Sequence, residues 1–325
     1  MAHIRPKALI TALAYAAWVR RGNQEAGLGS VQQLIENQID PAQPEPSRAG
    51  RWVCGSSFSV LTSLFQPWAA EKAPVIFPLG KAERRLWTAA WDGYLGRQPD
   101  LDMCDVLDGS YQMAVDSLDP AADDRAELAR ATSLGLHLII RYWHGRLTFD
   151  SHDQLLRRYY RNAPAAARVH LMHFLGRELP AAAPVHAALL TRLWEERLRA
   201  VREGAEPAEL AAFGEWFAAG KLGDEWELSQ LITALRDAGK IESEHLVLPR
   251  LAELAPAHPD ACLTALEAWV LTNPTPYSFQ RQEDSIRAIL RAGTDNGTHG
   301  SAEKVTAIIG LCGLRGHDLR KFRDS

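Results

Sequence analysis

Residues 209–235 contain the pattern that most narrows what this chain can fold into. Two sets of apolar residues there share the i, i+3, i+7 spacing that places side chains on one face of an α-helix. They are Leu210, Phe213 and Phe217 in the first half, and Leu228, Leu231 and Leu235 in the second. Gly220 and Gly223 lie between the two sets and interrupt the helical pattern. The stretch therefore predicts two amphipathic helices joined by a short turn, which is a helical hairpin.

The start of the second helix carries a capping signal. Asp224 is followed three residues later by Glu227. We expect the Asp224 carboxylate to accept a hydrogen bond from a free amide of the first turn, while Glu227 reaches back toward the helix start, as in a capping box.

Helical spacing interrupted by Gly or Pro recurs along most of the chain. The predicted helices include residues 6–21, 81–95, 104–118, 123–143, 184–203, 243–254, 259–271, 282–292 and 301–312. Many consecutive helices with short connections indicate an all-α chain. Because no fixed sequence period is present, we predict an irregular array of stacked antiparallel hairpins, a solenoid of the HEAT or TPR kind. A compact multi-helix bundle is the alternative.

We place a division near residue 50. Residues 1–50 are expected to form N-terminal helices and a Pro-rich connector with Pro41, Pro44 and Pro46, and residues 51–325 the helical-repeat array. Residues 52–78 admit two interpretations. Alternation over 53–60 is typical of a strand, whereas the whole segment also fits a helix broken near Pro67.

Composition excludes some classes of function. The chain has 36 basic and 40 acidic residues and a net charge of -4, so it has no global attraction for nucleic acid or anionic lipid. Its four cysteines form no CxxC pair, which is typical of free thiols in a reducing compartment. The apolar run at 8–19 faintly imitates a secretory signal but is shorter than the roughly 20 residues of a membrane span. We expect a cytoplasmic protein that does not contact membranes.

One acidic motif suggests an enzyme. Asp123, Asp124 and Glu127 form a DDxxE sequence in an aromatic-rich helical chain. This resembles the magnesium motif of class I terpenoid synthases, in which carboxylates one helical turn apart hold Mg²⁺ against a diphosphate. The acids follow Pro120 at a helix start, however, where acidic residues are favoured by the helix dipole alone. A terpenoid-synthase type of enzyme is therefore kept as an alternative.

Histidines are spaced for a common helical face in two places. His170 and His173 lie at i, i+3, and His137 and His144 lie two turns apart. No HExxH motif or paired Cys and His spacing accompanies them. We therefore expect no metal site, no catalytic residue and no bound cofactor in this chain.

Two groups of residues are candidates for an interaction surface. Arg157, Arg158, Tyr160 and Arg161 interleave cations with aromatic rings, as proteins that bind single-stranded nucleic acid do. Trp216 and Trp226 flank the apolar stripes of the hairpin, so each is a candidate for partner contact as well as for packing. Local nucleic-acid binding through 157–161 is a second alternative function.

Short segments that contain aromatic residues recur along the chain from Lys81 to its end. In order they are LWTAAWDGYL at 86–95, YWHG at 142–145, FLGR at 174–177, LWEER at 193–197, FGEWF at 213–217, EW at 225–226 and FRD at 322–324. This order resembles the C-terminal helical region of large bacterial ATP-binding proteins, including defence-associated STAND-type NTPases. The resemblance implies a helical array that recognises a trigger or holds a resting state. In that family the nucleotide site and effector enzyme lie in upstream domains, so no catalytic residue is transferred.

Together these patterns predict a non-enzymatic α-helical scaffold or sensor module that binds a macromolecule. The expected partner is a protein, for which an NTPase or effector encoded nearby is the candidate that the resemblance implies.

Overall fold

The computed structural model describes residues 4–22, 27–40, 47–272 and 274–319. All regular secondary structure in these ranges is helical, and no strand occurs in them. The predicted all-α class is therefore confirmed. The Pro-rich connector at 41–46 and the closing segment at 322–324 lie outside the described residues.

The chain forms two compact units whose boundary lies between Ala167 and Arg168. The division predicted near residue 50 stays a prediction. The first unit contains α1 (Ile4–Arg21), α2 (Leu28–Ile39), α3 (Arg48–Ser56), α4 (Phe58–Ile76), α5 (Arg84–Leu95), α6 (Asp108–Asp116), α7 (Arg125–Trp143) and α8 (Leu155–Asn162). Within it, α1 packs on α2, α3 and α4, and α3 packs on α5.

The second unit begins in the first turn of α9. Its helices are α9 (Ala165–Glu178), α10 (Pro184–Arg202), α11 (Phe213–Ala219), α12 (Asp224–Ala238), α13 (Glu244–Leu254), α14 (Pro259–Leu271), α15 (Pro276–Asn296) and α16 (Ser301–Leu314). From α11 onward each helix packs on the second helix after it, in the pairs α11 with α13, α12 with α14, α13 with α15 and α14 with α16.

Residues 52–78 are helical, so the interpretation of 53–60 as a strand is wrong. The segment contains the end of α3 and all of α4, with Ser57 between them. Inside α4, Phe65 departs from helical geometry with φ of -142° and ψ of 52°. Pro67 follows two residues later, and its ring lacks an amide hydrogen and clashes with the preceding helical turn. The break near Pro67 is thus confirmed, and α4 is kinked there.

The predicted hairpin is present as α11 and α12, but its capping box is not. α12 begins at Asp224, and the Asp224 carboxylate accepts a hydrogen bond from Arg250 Nη2 at 2.9 Å rather than from a helix amide. Glu227 does reach back, and its Oε1 accepts from the amide of Leu222 at 2.7 Å. The predicted cap is absent because the helix begins one residue earlier than expected, so its N-cap position is occupied by Gly223, which has no side chain.

No helix in the described ranges combines the length and the apolar character that crossing a membrane would require.

Candidate interaction surface

Helix α1 buries one apolar face in the first unit. Leu9, Leu13, Ala16 and Val19 are each at most 3% exposed. Their spacing of three and four residues places them on a single stripe, which faces α2, α3 and α4. This stripe anchors α1 to the core.

The opposite face of α1 is also apolar, and it is open to solvent. Ile10 and Tyr15 are each 48% exposed, and Trp18 is 66% exposed. The rings of Tyr15 and Trp18 lie one helical turn apart with centroids separated by 6.2 Å. Large aromatic side chains in neighbouring exposed positions favour contact with another macromolecule, because covering them removes apolar area from water. We call Ile10, Tyr15 and Trp18 the α1 surface.

Charge at the ends of α1 is of one sign. The helix contains basic residues at both ends and no acidic residue. Lys7 and Arg21 are exposed, and Arg21 Nε donates to the carbonyl of Ala17 at 3.3 Å. A surface that is apolar in its centre and basic at its rim complements an apolar groove edged with acidic residues.

The predicted interaction cluster at 157–161 presents fewer accessible side chains than its sequence indicated. Tyr160 is 2% exposed and therefore belongs to the core. Arg158 is paired with Asp116 and also donates to the carbonyl of Asp153 at 3.3 Å. Arg157 lies with its guanidinium carbon 5.8 Å from the Phe149 ring centroid. Arg161 is exposed. Because single-strand binding needs accessible aromatic faces, the burial of Tyr160 removes the stacking platform from this patch.

The two tryptophans of the hairpin differ in their burial. Trp216 is 0% exposed and donates its indole hydrogen to the carbonyl of Met172 at 2.8 Å, so it is a core residue and leaves the candidate surface. Trp226 is half-buried, with its ring centroid 6.0 Å from that of Phe213. Trp216 is fully buried because it lies against α9 and α10, where Met172 accepts its indole hydrogen and the ring centroid of Trp194 is 5.8 Å from its own.

The acidic motif at the start of α7 caps that helix. Asp124 is its N-cap residue, and Oδ1 accepts from the amides of Ala126 at 2.9 Å and Glu127 at 3.1 Å. Asp123, Asp124 and Glu127 are all exposed. A carboxylate engaged in this way satisfies two of the orphan amides of a helix start. The motif thus has a structural role at α7.

The predicted histidine pairs do not converge on a common ligand. His173 Nδ1 lies 3.3 Å from Glu215 Oε1, and Nε2 lies 2.5 Å from Glu242 Oε2. The two carboxylates contact opposite edges of the ring, so they cannot share one ion with it. His170 is exposed. Across the described ranges no three or more His, Cys, Asp or Glu side chains are grouped to hold a metal.

A chain of hydrogen bonds crosses the core of the first unit. The amide of Asp100 and the hydroxyl of Tyr94 are 3.3 Å apart, Tyr94 and Tyr111 hydroxyls are 3.3 Å apart, and Tyr111 Oη is 3.1 Å from His137 Nδ1. His137 Nε2 is 2.6 Å from the carbonyl of Arg97, which can only accept. Nε2 therefore carries the hydrogen and Nδ1 accepts from Tyr111. Because the chain is buried and each member is paired, it stabilises the core.

The cysteines are unsuited to nucleophilic chemistry. All four are free and buried. Burial raises the pKa of the Cys54 and Cys262 thiols to about 12 and that of Cys104 and Cys312 to about 11. Thiols with such pKa values remain protonated near neutral pH and are weak nucleophiles.

The residues of the α1 surface were not among the interaction residues predicted from the sequence, although the apolar composition of α1 is visible there. A helix that is apolar on all sides is normally buried on all sides. In the sequence of α1, Ile10, Tyr15 and Trp18 alternate with the residues of the buried stripe, so the helix contains apolar residues on both faces. The spacing alone cannot tell whether this chain or another covers the second face.

Comparison with known proteins adds no relative. No family model matches the chain, and neither a curated protein nor a solved structure matches it.

Proposed function

We propose that this chain is a non-enzymatic α-helical module that binds a partner protein through the α1 surface. The observation that carries the proposal is the exposure of Ile10, Tyr15 and Trp18 on a helix whose other face is fixed in the core. Trp and Tyr are enriched among the residues that dominate binding energy at protein interfaces. A rigid helix also presents them with little loss of conformational entropy on binding.

The proposal includes the arrangement of the helices as an irregular stack of hairpins. It is supported in the second unit by the packing of α11 on α13, α12 on α14, α13 on α15 and α14 on α16. Contact between every second helix is typical of helical-repeat arrays, in which equivalent helices of successive hairpins lie side by side.

The partner that fits is a protein with an apolar groove and an acidic rim. The groove would accept Trp18 and Tyr15, and the acidic rim would face Lys7 and Arg21. The resemblance to helical regions of defence-associated NTPases makes an NTPase or effector encoded near this chain the first partner to test. Such a partner would make this chain the part that senses or scaffolds, in the cytoplasm.

Site-specific photocrosslinking in the native cell tests the proposal. Benzoylphenylalanine replaces Trp18 in one strain and Leu314, which is 87% exposed in the second unit, in a matched strain. We expect a crosslinked protein at position 18 that is absent at position 314. The isolated partner should then bind Trp18→Ala about tenfold or more weakly than the native chain, because truncating an interface tryptophan removes a dominant contact.

Several outcomes would overturn the proposal. One is identical crosslinked products at positions 18 and 314, and another is a product that contains only a second copy of this chain. A third is binding to phosphatidylserine vesicles, lost in Trp18→Ala, with no crosslinked protein. Thermal unfolding of Trp18→Ala serves as the folding control, and its stability should lie within about 0.5 kcal/mol of the native value because the side chain is largely exposed.

A further inference from the structure

A cleft lies in the first unit, away from the α1 surface, between α5, the end of α6 and the start of α7. Its volume is about 170 Å³. A cavity of about 150 Å³ is large enough to hold benzene. The cleft is therefore sized for one compact apolar group, comparable to a leucine or phenylalanine side chain.

The inner wall of the cleft is apolar and rigid. Trp87 and Trp91 border it and stack on each other with centroids 5.7 Å apart and planes 13° apart. Ala131 and Leu134 of α7 and Pro164 complete the wall. Both tryptophans are at most 3% exposed, so the wall is held by the core rather than by mobile side chains.

The rim of the cleft carries charges of both signs. Arg84 lies with its guanidinium carbon 4.4 Å from the Trp87 ring centroid, and it forms no ion pair with any residue that the structure describes. Glu127 and Asp119 also line the cleft, and neither has an ion-pair partner in the described part of the chain, while Asp119 Oδ1 accepts from the amide of Ala121 at 2.9 Å. Arg130 is already neutralised, because it donates to both carboxylate oxygens of Asp92 at 2.8 and 3.2 Å.

We propose that this cleft binds a free amino acid with an apolar side chain. The side chain enters the Trp87 and Trp91 wall, the carboxylate binds Arg84, and the ammonium group binds Glu127. A guanidinium held against an aromatic ring is oriented to donate to a carboxylate. Unpaired charges of both signs at the rim match a zwitterion, and the apolar wall matches its side chain. This inference does not depend on the α1 surface.

Calorimetric titration of the full chain with four ligands tests the charge pattern. L-Leucine has both charges, N-acetyl-L-leucine lacks the ammonium, L-leucinamide lacks the carboxylate, and glycine lacks the side chain. We expect leucine to bind most tightly and each of the other three about tenfold or more weakly, since each lacks one of the three interactions.

Two variants assign the charges to residues. Arg84→Gln should weaken leucine and N-acetyl-leucine about tenfold and leave leucinamide unchanged, while Glu127→Gln should weaken leucine and leucinamide and leave N-acetyl-leucine unchanged. Arg85→Gln and Asp123→Asn are matched controls, because both residues are exposed and neither lines the cleft. Trp18→Ala should bind leucine as the native chain does.

The proposal is overturned if leucine does not bind, or if glycine binds as tightly as leucine. It is also overturned if both variants weaken both analogues equally, because that pattern would report a general change in the cleft rather than two separate charge contacts. Should either variant fail to fold, the ranking of the four ligands on the native chain decides the question by itself.

Discussion

Gly55 of α3 lies directly against the backbone of Ala90 in α5. A Cβ atom at position 55 would be 1.9 Å from the Ala90 carbonyl oxygen. The contact is reciprocal along the same helix pair, since a Cβ atom at Gly93 would be 2.3 Å from the carbonyl oxygen of Trp52. The two helices therefore cross backbone to backbone, and this is possible only because both positions lack a side chain.

Replacing Gly55 with alanine should destabilise the first unit by about 3 kcal/mol. The added methyl group meets backbone atoms, which cannot move away by changing rotamer, so the helices must separate and lose their packing. Urea unfolding followed by circular dichroism measures the change.

Gly310→Ala is the control for that substitution. Gly310 is an exposed residue of α16 with no atom within 4 Å of its Cβ position. There we expect a gain of about 0.5–1 kcal/mol, because alanine is the better helix former. Equal effects at the two positions would contradict the proposed crossing.

Some features of the fold could be predicted from helical spacing in the sequence. The face shared by Ala90 and Gly93 was predictable from helical spacing, and so were the packing roles of Phe213 and Phe217. The start of α15 was missed, although Thr275 caps it by accepting from the Ser278 amide at 3.1 Å and Pro276 occupies the first turn. Those local signals were present in the sequence.

Long-range pairing was not predictable from spacing. Arg197 shares the apolar stripe of α10 in sequence, and only the structure shows that it meets Glu209 in the core. Trp216 and Trp226 have similar sequence surroundings, yet only Trp216 is fully buried. Such differences depend on which elements cover a helix, and a pattern within one helix does not contain that information.

Glu209 should be essential for the stability of the second unit. It is 0% exposed and accepts from Arg168 Nε at 2.9 Å and Arg197 Nε at 2.6 Å. Glu209→Gln keeps the shape but removes the buried anion that the two guanidinium groups share, and Arg168 keeps the longer contact with the exposed Glu206 at 3.6 Å. We expect a loss of about 3–5 kcal/mol, measured by urea unfolding.

Two comparisons test the Glu209 assignment. Glu283→Gln removes the half-exposed partner of Arg287 in α15 and should cost only about 0.5 kcal/mol. The triple variant Arg168→Met, Arg197→Met and Glu209→Leu should recover much of the loss, because it removes the buried charges as well as their pairing. A Glu209→Gln loss below about 1 kcal/mol would show that the triad is not a stabilising unit.

The DDxxE motif should behave as a helix cap. Asp124→Ala removes the acceptor for the Ala126 and Glu127 amides and should cost about 1 kcal/mol. Asp123→Ala, at an exposed neighbouring carboxylate, should change stability by less than about 0.5 kcal/mol. Thermal unfolding separates the two variants. Magnesium-dependent release of diphosphate from a prenyl diphosphate, abolished by Asp124→Ala, would instead support the enzyme alternative.

His137 should make the first unit sensitive to mild acid. Burial, with a smaller contribution from the nearby Arg141, lowers the pKa of His137 from 6.5 to about 4. The folded chain therefore favours the neutral ring, which accepts from Tyr111 and donates to the Arg97 carbonyl. The stability that this preference contributes is complete above about pH 6.5 and is lost as the pH falls through about 4.

The stability advantage of the native chain over His137→Gln should therefore shrink by about 3 kcal/mol between neutral pH and pH 4. Urea unfolding at a series of pH values measures this difference, and other titrating groups cancel because both proteins share them. A constant difference between the native chain and His137→Gln over the whole range would mean that folding does not shift the pKa of His137, and the preference of the fold for the neutral ring would be wrong.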